Sequence, residues 1–183
     1  TATNKGVSLA LDRNADKVVA AAFVDAKSAS SKAKLANHLW VKSLGTSNKD
    51  YTNVKVVMED GSEETIKVAA GDKALKNGVE KIYLYTVNSD GYYELTLAST
   101  GDTKDNFATG TVYDITGDTV IVTVKGEGNK EEKVEFSITT DTVEYDHAKN
   151  SALEEGAEVD ILFDKDEKDI LMIVVTVKAP DVV

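Results

Sequence analysis

The sequence predicts an all-β chain of two small barrels. Three observations carry that expectation. Apolar residues alternate with polar ones over short runs, as they do in strands with one buried face. Turn signals rich in Asp, Asn and Gly separate the runs. One pattern, A-L-x-x-G-x-E, occurs twice, opening at Ala74 and again at Ala152, an offset of 152 − 74 = 78 residues.

The register of that repeat is informative. A strand turns alternate side chains to opposite faces. After the first copy, Tyr83, Tyr85, Tyr93, Leu95 and Leu97 fall in one phase. At the same offset stand Ile161, Phe163, Leu171, Ile173 and Val175, all large and apolar. The intervening positions are mixed: Ile82 matches Asp160, and Glu94 matches Met172. Slipping either strand by one residue would turn its apolar set to water, so matching phases point to a structural repeat.

Taken in order, 7–11 reads as a brief strand and 17–25 as a clearer one, with Val19, Ala21 and Phe23 on one face. The Ser-, Ala- and Lys-rich segment 26–37 reads as a loop with helical turns, because its apolar residues are mostly alanine and bury little. A strand over 38–44 holds the lone tryptophan, Trp40, and 45–50 is a polar turn. Strands 54–58 and 64–68 flank Asp60-Gly61, a strong hairpin signal, since those residues tolerate positive φ. One helical turn over 74–77 ends at Gly78, which can take the left-handed conformation after a helix. A second hairpin joins 82–87 to 92–97 across Asp90-Gly91.

Residues 99–106 contain no apolar side chain, which sets a module boundary there, with 1–100 as the first β-module and 101–183 as the second. The second module reads as strands at 110–115, 119–124, 133–138, 142–145, 159–163 and 170–178. Val120, Val122 and Val124 share a face, as do Val134, Phe136 and Ile138; a loop with Gly126 and Gly128 lies between them. Pro180 follows the last strand, where its missing N–H does no harm. Closing such short strands into a barrel removes exposed edges, so an OB-like small barrel is the preferred fold; β-sandwich modules are the alternative. The two barrels are expected end to end, joined through 99–106, rather than fused in one core.

Composition narrows the function. The net charge is −11, with 32 acidic and 21 basic residues, which disfavours nucleic acid and anionic membranes as partners. No apolar run is long enough to span a bilayer. The absence of cysteine excludes disulfides, thiol nucleophiles and thiolate metal sites. The start at Thr1 and the end at Val183, with no signal peptide, read as a segment excised from a longer chain.

The segments Gly110-Thr111-Val112, Gly117-Asp118-Thr119-Val120-Ile121-Val122-Thr123-Val124, Val134-Glu135-Phe136 and Leu153-Glu154-Glu155-Gly156-Ala157-Glu158-Val159 resemble small β-barrel modules of exported bacterial proteins. Ala22-Phe23-Val24-Asp25 and Leu39-Trp40-Val41-Lys42 are similar to repeat regions of S-layer-homology-containing surface proteins of Gram-positive bacteria. The cell-wall-binding S-layer homology motif itself is absent from these residues. The resemblance implies a surface location and no catalysis.

Candidate sites are few. His38 and His147 lie in different modules, away from any nucleophile motif. Asp164, Asp166 and Asp169 form the sharpest acidic cluster and are weak calcium candidates; two lysines interrupt them, and a solvated hairpin turn explains them equally. Trp40, Tyr51, Tyr92 and Tyr113 are candidates for a sugar-stacking surface, although strand aromatics more often serve the core. Gly126-Glu127-Gly128 lacks the rest of a phosphate loop.

The expectation is therefore a non-catalytic structural or spacer module of a bacterial surface-exposed protein, with no cofactor. Its partners would be other segments of the same protein or cell-wall components. The alternative is a module that binds carbohydrate or another surface polymer.

Overall fold

The computed structural model describes residues 35, 37–125, 130–148 and 151–180. The strands expected at 7–11 and 17–25, nearly all of the Ser-rich segment, and Gly126 and Gly128 lie outside the described residues.

The described chain is all-β. The first five strands are β1 (His38–Ser47), β2 (Tyr51–Met58), β3 (Glu63–Ala69), β4 (Lys81–Val87) and β5 (Tyr93–Leu97). They close into a barrel in the order β1-β2-β3-β5-β4, the strand order of an OB-like fold. The neighbours are antiparallel except β3 and β5, which run parallel and meet at Val68 and Tyr93. Inside sit Leu39, Val41, Val54, Val56, Ile66, Val68, Tyr83 and Leu95, the inward phase of each strand.

The hairpin turns follow the sequence signals. Gly61 and Gly91 have φ of +81° and +79°, as the turns at Asp60-Gly61 and Asp90-Gly91 require. Asp60 accepts the backbone N–H of Ser62, and Asn88 accepts those of Asp90 and Tyr92. These side chains imitate the backbone and hold the turns. Between β3 and β4 a single 3-10 turn, Ala74–Asn77, ends at Gly78 with φ +100°. Tyr83, fully buried, donates its hydroxyl to the Gly78 carbonyl at 2.7 Å and so ties this turn to the barrel.

The second half contains β6 (Phe107–Thr116), β7 (Thr119–Lys125), β8 (Glu131–Ser137), β9 (Val143–Asp146), β10 (Glu158–Phe163) and β11 (Ile170–Val177). They form one sheet in the order β8-β7-β6-β10-β11-β9. Without β9 this is the order of the first barrel read from its third strand. The two ends approach through one parallel bridge, Ser137 to Asp169, and then β9 takes the edge of β11. Val112, Val120, Val122, Phe136, Val159, Ile161, Ile173 and Val175 fill this half.

Two expectations need correction. Residues 99–106 are not a loose polar link: Gly101–Asn106 is a 3-10 helix with Thr103 and Asn106 buried. Thr103 donates to the Ala98 carbonyl, and the Asn106 amide donates to the Phe163 carbonyl at 3.0 Å. Polar residues there satisfy buried backbone groups rather than face water. Nor do the halves merely sit end to end. A third buried cluster joins Trp40, Val57, Ile82 and Ala98 of the first half to Val143, Leu162, Met172 and Val174 of the second. Apart from Ala98, which follows β5, and Val143 on the edge strand β9, these residues occupy the outward phase of their strands. That explains why β11 is apolar in both phases and why Leu162 stands in the otherwise polar outward phase of β10: one face packs in their own core and the other on the first barrel.

Candidate functional site

Three places gather polar or aromatic side chains. The first is the rim of the junction between the halves. Trp40, outward on β1, is only 1% exposed. Its indole N–H makes no hydrogen bond, and the rings of Tyr145 and His147 pack against it with centroids 4.8 Å away. His147 Nε2 lies 3.4 Å from a Glu80 carboxylate oxygen, across the junction. Lys42 is paired with Glu63 and lies 5.4 Å from the Tyr145 ring centroid. The bond to Glu63, and then Tyr145, hold the Lys42 ammonium above its ordinary value. Asp160, on β10, lines a small crevice with Glu80 and Lys81 of the first half. Burial pushes its carboxyl up, opposed by the Thr109 hydroxyl at 2.7 Å and the Lys81 charge.

The second is a cleft of about 820 Å³ on the first barrel, lined by residues 69–74, Tyr85, Glu94 and Asp102 among others. Its best placed carboxylate is already engaged. Asp72 accepts the N–H of Ala74 through one oxygen and the N–H of Leu95 through the other, both at 2.7 Å. Asp72 thereby continues the β3–β5 closure where the strands themselves stop pairing. On the cleft wall the partly buried Tyr85 donates to Glu59 at 2.7 Å, and burial, then that bond, raises the Tyr85 phenol far above its ordinary value.

The third is the outward face of β2 and β3. Tyr51 pairs with Ala69 across the strands, Asn53 with Lys67, and Lys55 with Thr65. Tyr92, at the end of the β4–β5 turn, brings its ring to 5.5 Å from that of Tyr51. The Lys67 ammonium lies 4.8 Å from the Tyr51 ring centroid.

The sequence candidates are distributed accordingly. Of the four aromatic residues, only Tyr51 and Tyr92 meet. Trp40 is buried in the junction, and Tyr113 stands on β6 in the other half with Lys133 over its ring at 3.1 Å. His38 is buried, its Nδ1 donating to the Leu35 carbonyl at 2.7 Å. Asp164 is 4% exposed and accepts the N–H of Asp166; its backbone N–H donates to the Asp169 carbonyl. The acidic run is therefore the β10–β11 turn, with Lys168 at φ +62°. Among the described residues, no three His, Asp or Glu side chains gather as a metal site. The pairing of Tyr51 with Tyr92 was not legible in sequence, since 41 positions separate them (92 − 51).

No protein-family model matches the chain, and no curated protein matches it either. Two solved structures show weak likeness. One is the cytoplasmic molybdate-binding protein ModG, at 18% identity and a TM-score of 0.21, covering 55% of this chain and 73% of that one. The other is a multidomain protein with nucleic acid binding domains from Streptococcus pneumoniae, at 18% identity and a TM-score of 0.23. That match covers 81% of this chain and 47% of the other. At such scores neither carries an argument about ligand or role.

Proposed function

We propose that this chain is a non-catalytic structural module of a bacterial surface-exposed protein, in which two OB-like units, related as a tandem repeat, hold whatever flanks them at a fixed separation. The observation that carries this reading is the buried junction. Trp40, Val57 and Ile82 on one side, and Leu162, Met172 and Val174 on the other, cover faces that two independent modules would leave wet. A spacer benefits from such a joint because burial of apolar area removes hinge freedom between units. The histidines are committed to structural contacts, at Leu35 and Glu80, and Asp164 to its own turn. The surface location rests on the resemblance in the barrel punctuation.

Spin labels at Lys55 and Lys133, one in each half, should give a single narrow distance distribution. A broad distribution would remove the rigid-spacer reading. Protease treatment of intact producing cells should release fragments of this segment, and full protection would remove the surface location. A second reading, binding of a surface polymer, is favoured by one feature, the contact between Tyr51 and Tyr92 beside Lys67.

A further inference from the structure

We infer that the outward face of β2 and β3, completed by Tyr92, binds an acidic oligosaccharide. The inference rests on the polymer-binding reading and names its site and ligand class. Sugar rings are held by aromatic side chains that present apolar C–H-facing surface, and carboxylate-bearing sugars add a demand for cations. This face supplies both. Tyr51 and Tyr92 come from separate hairpins and meet at 5.5 Å, half-buried, so their rings are held in place before a ligand arrives. Asn53 lies beside them, its amide anchored by donating to the Thr46 hydroxyl at 2.9 Å, which leaves its carbonyl oxygen as an acceptor for sugar hydroxyls.

Charge selects the class. The chain carries −11 overall, yet the outward positions of β2 and β3 hold Lys55 and Lys67 and only one acid, Glu63, which is paired with Lys42. The adjoining turns contribute Lys49 with Asp50, Glu59, Asp60 and Asp90, and Glu94, two residues from Tyr92, is exposed and accepts the Asn88 amide at 3.3 Å. The matching face of the second half is different: β7 and β8 pair Ile121 with Glu135, Thr123 with Lys133 and Lys125 with Glu131, so each cation has an acid on the same face. A small cationic, aromatic face on an acidic protein suits a ligand whose charges are sparse and separated by apolar ring surface. Single-stranded nucleic acid, with a phosphate at every residue, needs a longer basic track to displace its counterions.

Calorimetric titration of the whole chain tests this, with a short oligogalacturonate, a neutral cello-oligosaccharide and a short oligothymidylate as probes. The oligogalacturonate should bind. Lys67→Glu, at an exposed position that leaves the fold intact, should abolish binding. Tyr92→Ala should weaken it about tenfold or more, an amount well resolved by titration, and Tyr113→Ala should leave it unchanged. Absence of oligogalacturonate binding, or tighter binding of the oligothymidylate, overturns the proposal. Equal binding of the neutral sugar that depends on Tyr92 and ignores Lys67→Glu overturns the acidic preference but leaves polymer binding standing. Oligogalacturonate binding that survives both Lys67→Glu and Tyr92→Ala overturns this face while leaving polymer binding elsewhere on the chain.

Discussion

The two halves lay their strands in one order but complete themselves differently. In the first, β3 reaches β5, the ring closes, and Tyr83 pins the 3-10 turn from inside. In the second, Ile161 stands at the position matching Tyr83 and has no hydroxyl to donate. There the backbone does the pinning: Gly156 N–H donates to the Val112 carbonyl, and Val112 N–H to the Ala157 carbonyl. The second half also ends its ring with a single bridge and adds β9 along β11. Its outward face is apolar where it meets the first barrel. Closure therefore does not free the first barrel from its neighbour: Trp40, Val57 and Ile82 on its exterior, like Leu162, Met172 and Val174 on the second half, stay dry only because the halves cover each other.

The largest test removes the neighbour. Residues 104–180 alone should lose cooperative urea unfolding or self-associate, because Leu162, Met172 and Val174 become exposed. A fragment that stays monomeric and unfolds as steeply as the whole chain would show that the junction contributes little. Next, Trp40→Ala should destabilise the whole chain by about 3–5 kcal/mol, the usual cost of emptying a large aromatic site. Trp40→Phe should cost much less, since it also removes a buried N–H that makes no hydrogen bond. Equal losses for the two variants in urea titrations would contradict that account.

Two smaller changes separate the closures. A Cβ at Gly110 would lie 2.3 Å from the Thr123 carbonyl oxygen, so Gly110→Ala should force β6 from β7 and cost about 1–3 kcal/mol. Asp72→Ala should cost a similar 1–3 kcal/mol or so by freeing the N–H groups of Leu95 and Ala74. Hydrogen exchange should then rise at Leu95 in the first barrel and not in the second half. Unchanged exchange at Leu95 would argue against the carboxylate as part of the closure.

The smallest effect concerns pH. Burial raises the Asp160 carboxyl above its ordinary value of 3.8. The folded state therefore holds a proton more tightly than the unfolded state, and stability falls as pH rises from 3.8 through the raised folded value. Asp160→Asn, which keeps an acceptor for Thr109, should be slightly more stable than the parent at neutral pH and no more stable below 3.8. A stability gain that is the same at both pH values would place its cause elsewhere.

Much of the fold was legible locally. Strand alternation placed Val120, Val122 and Phe136 inward, and Asp-Gly dipeptides placed the turns, because both signals arise within a few residues of chain. The 78-residue offset put Tyr83 and Ile161 in the same phase, and both are buried in the cores of their own halves. The candidate site was only half legible: the sequence offered four aromatic residues and could not say which would meet.

What the sequence by itself determined was the strand class, the turns and most of the inward phase; Leu171, expected inward with Ile173 and Val175, packs instead on the junction cluster, and Ile170 takes the core position past a register shift in the β10–β11 pairing. Only the tertiary structure decided the outward phase. Whether Trp40, Met172 and Val174 face water or another sheet depends on what docks against them, and that partner lies far along the chain. The same holds for residues 99–106. Their polarity reads as a solvated link, yet Asn106 is drawn inside because the Phe163 carbonyl, 57 residues away, needs a donor. Local patterns record which residues avoid water; long-range packing determines where the water is.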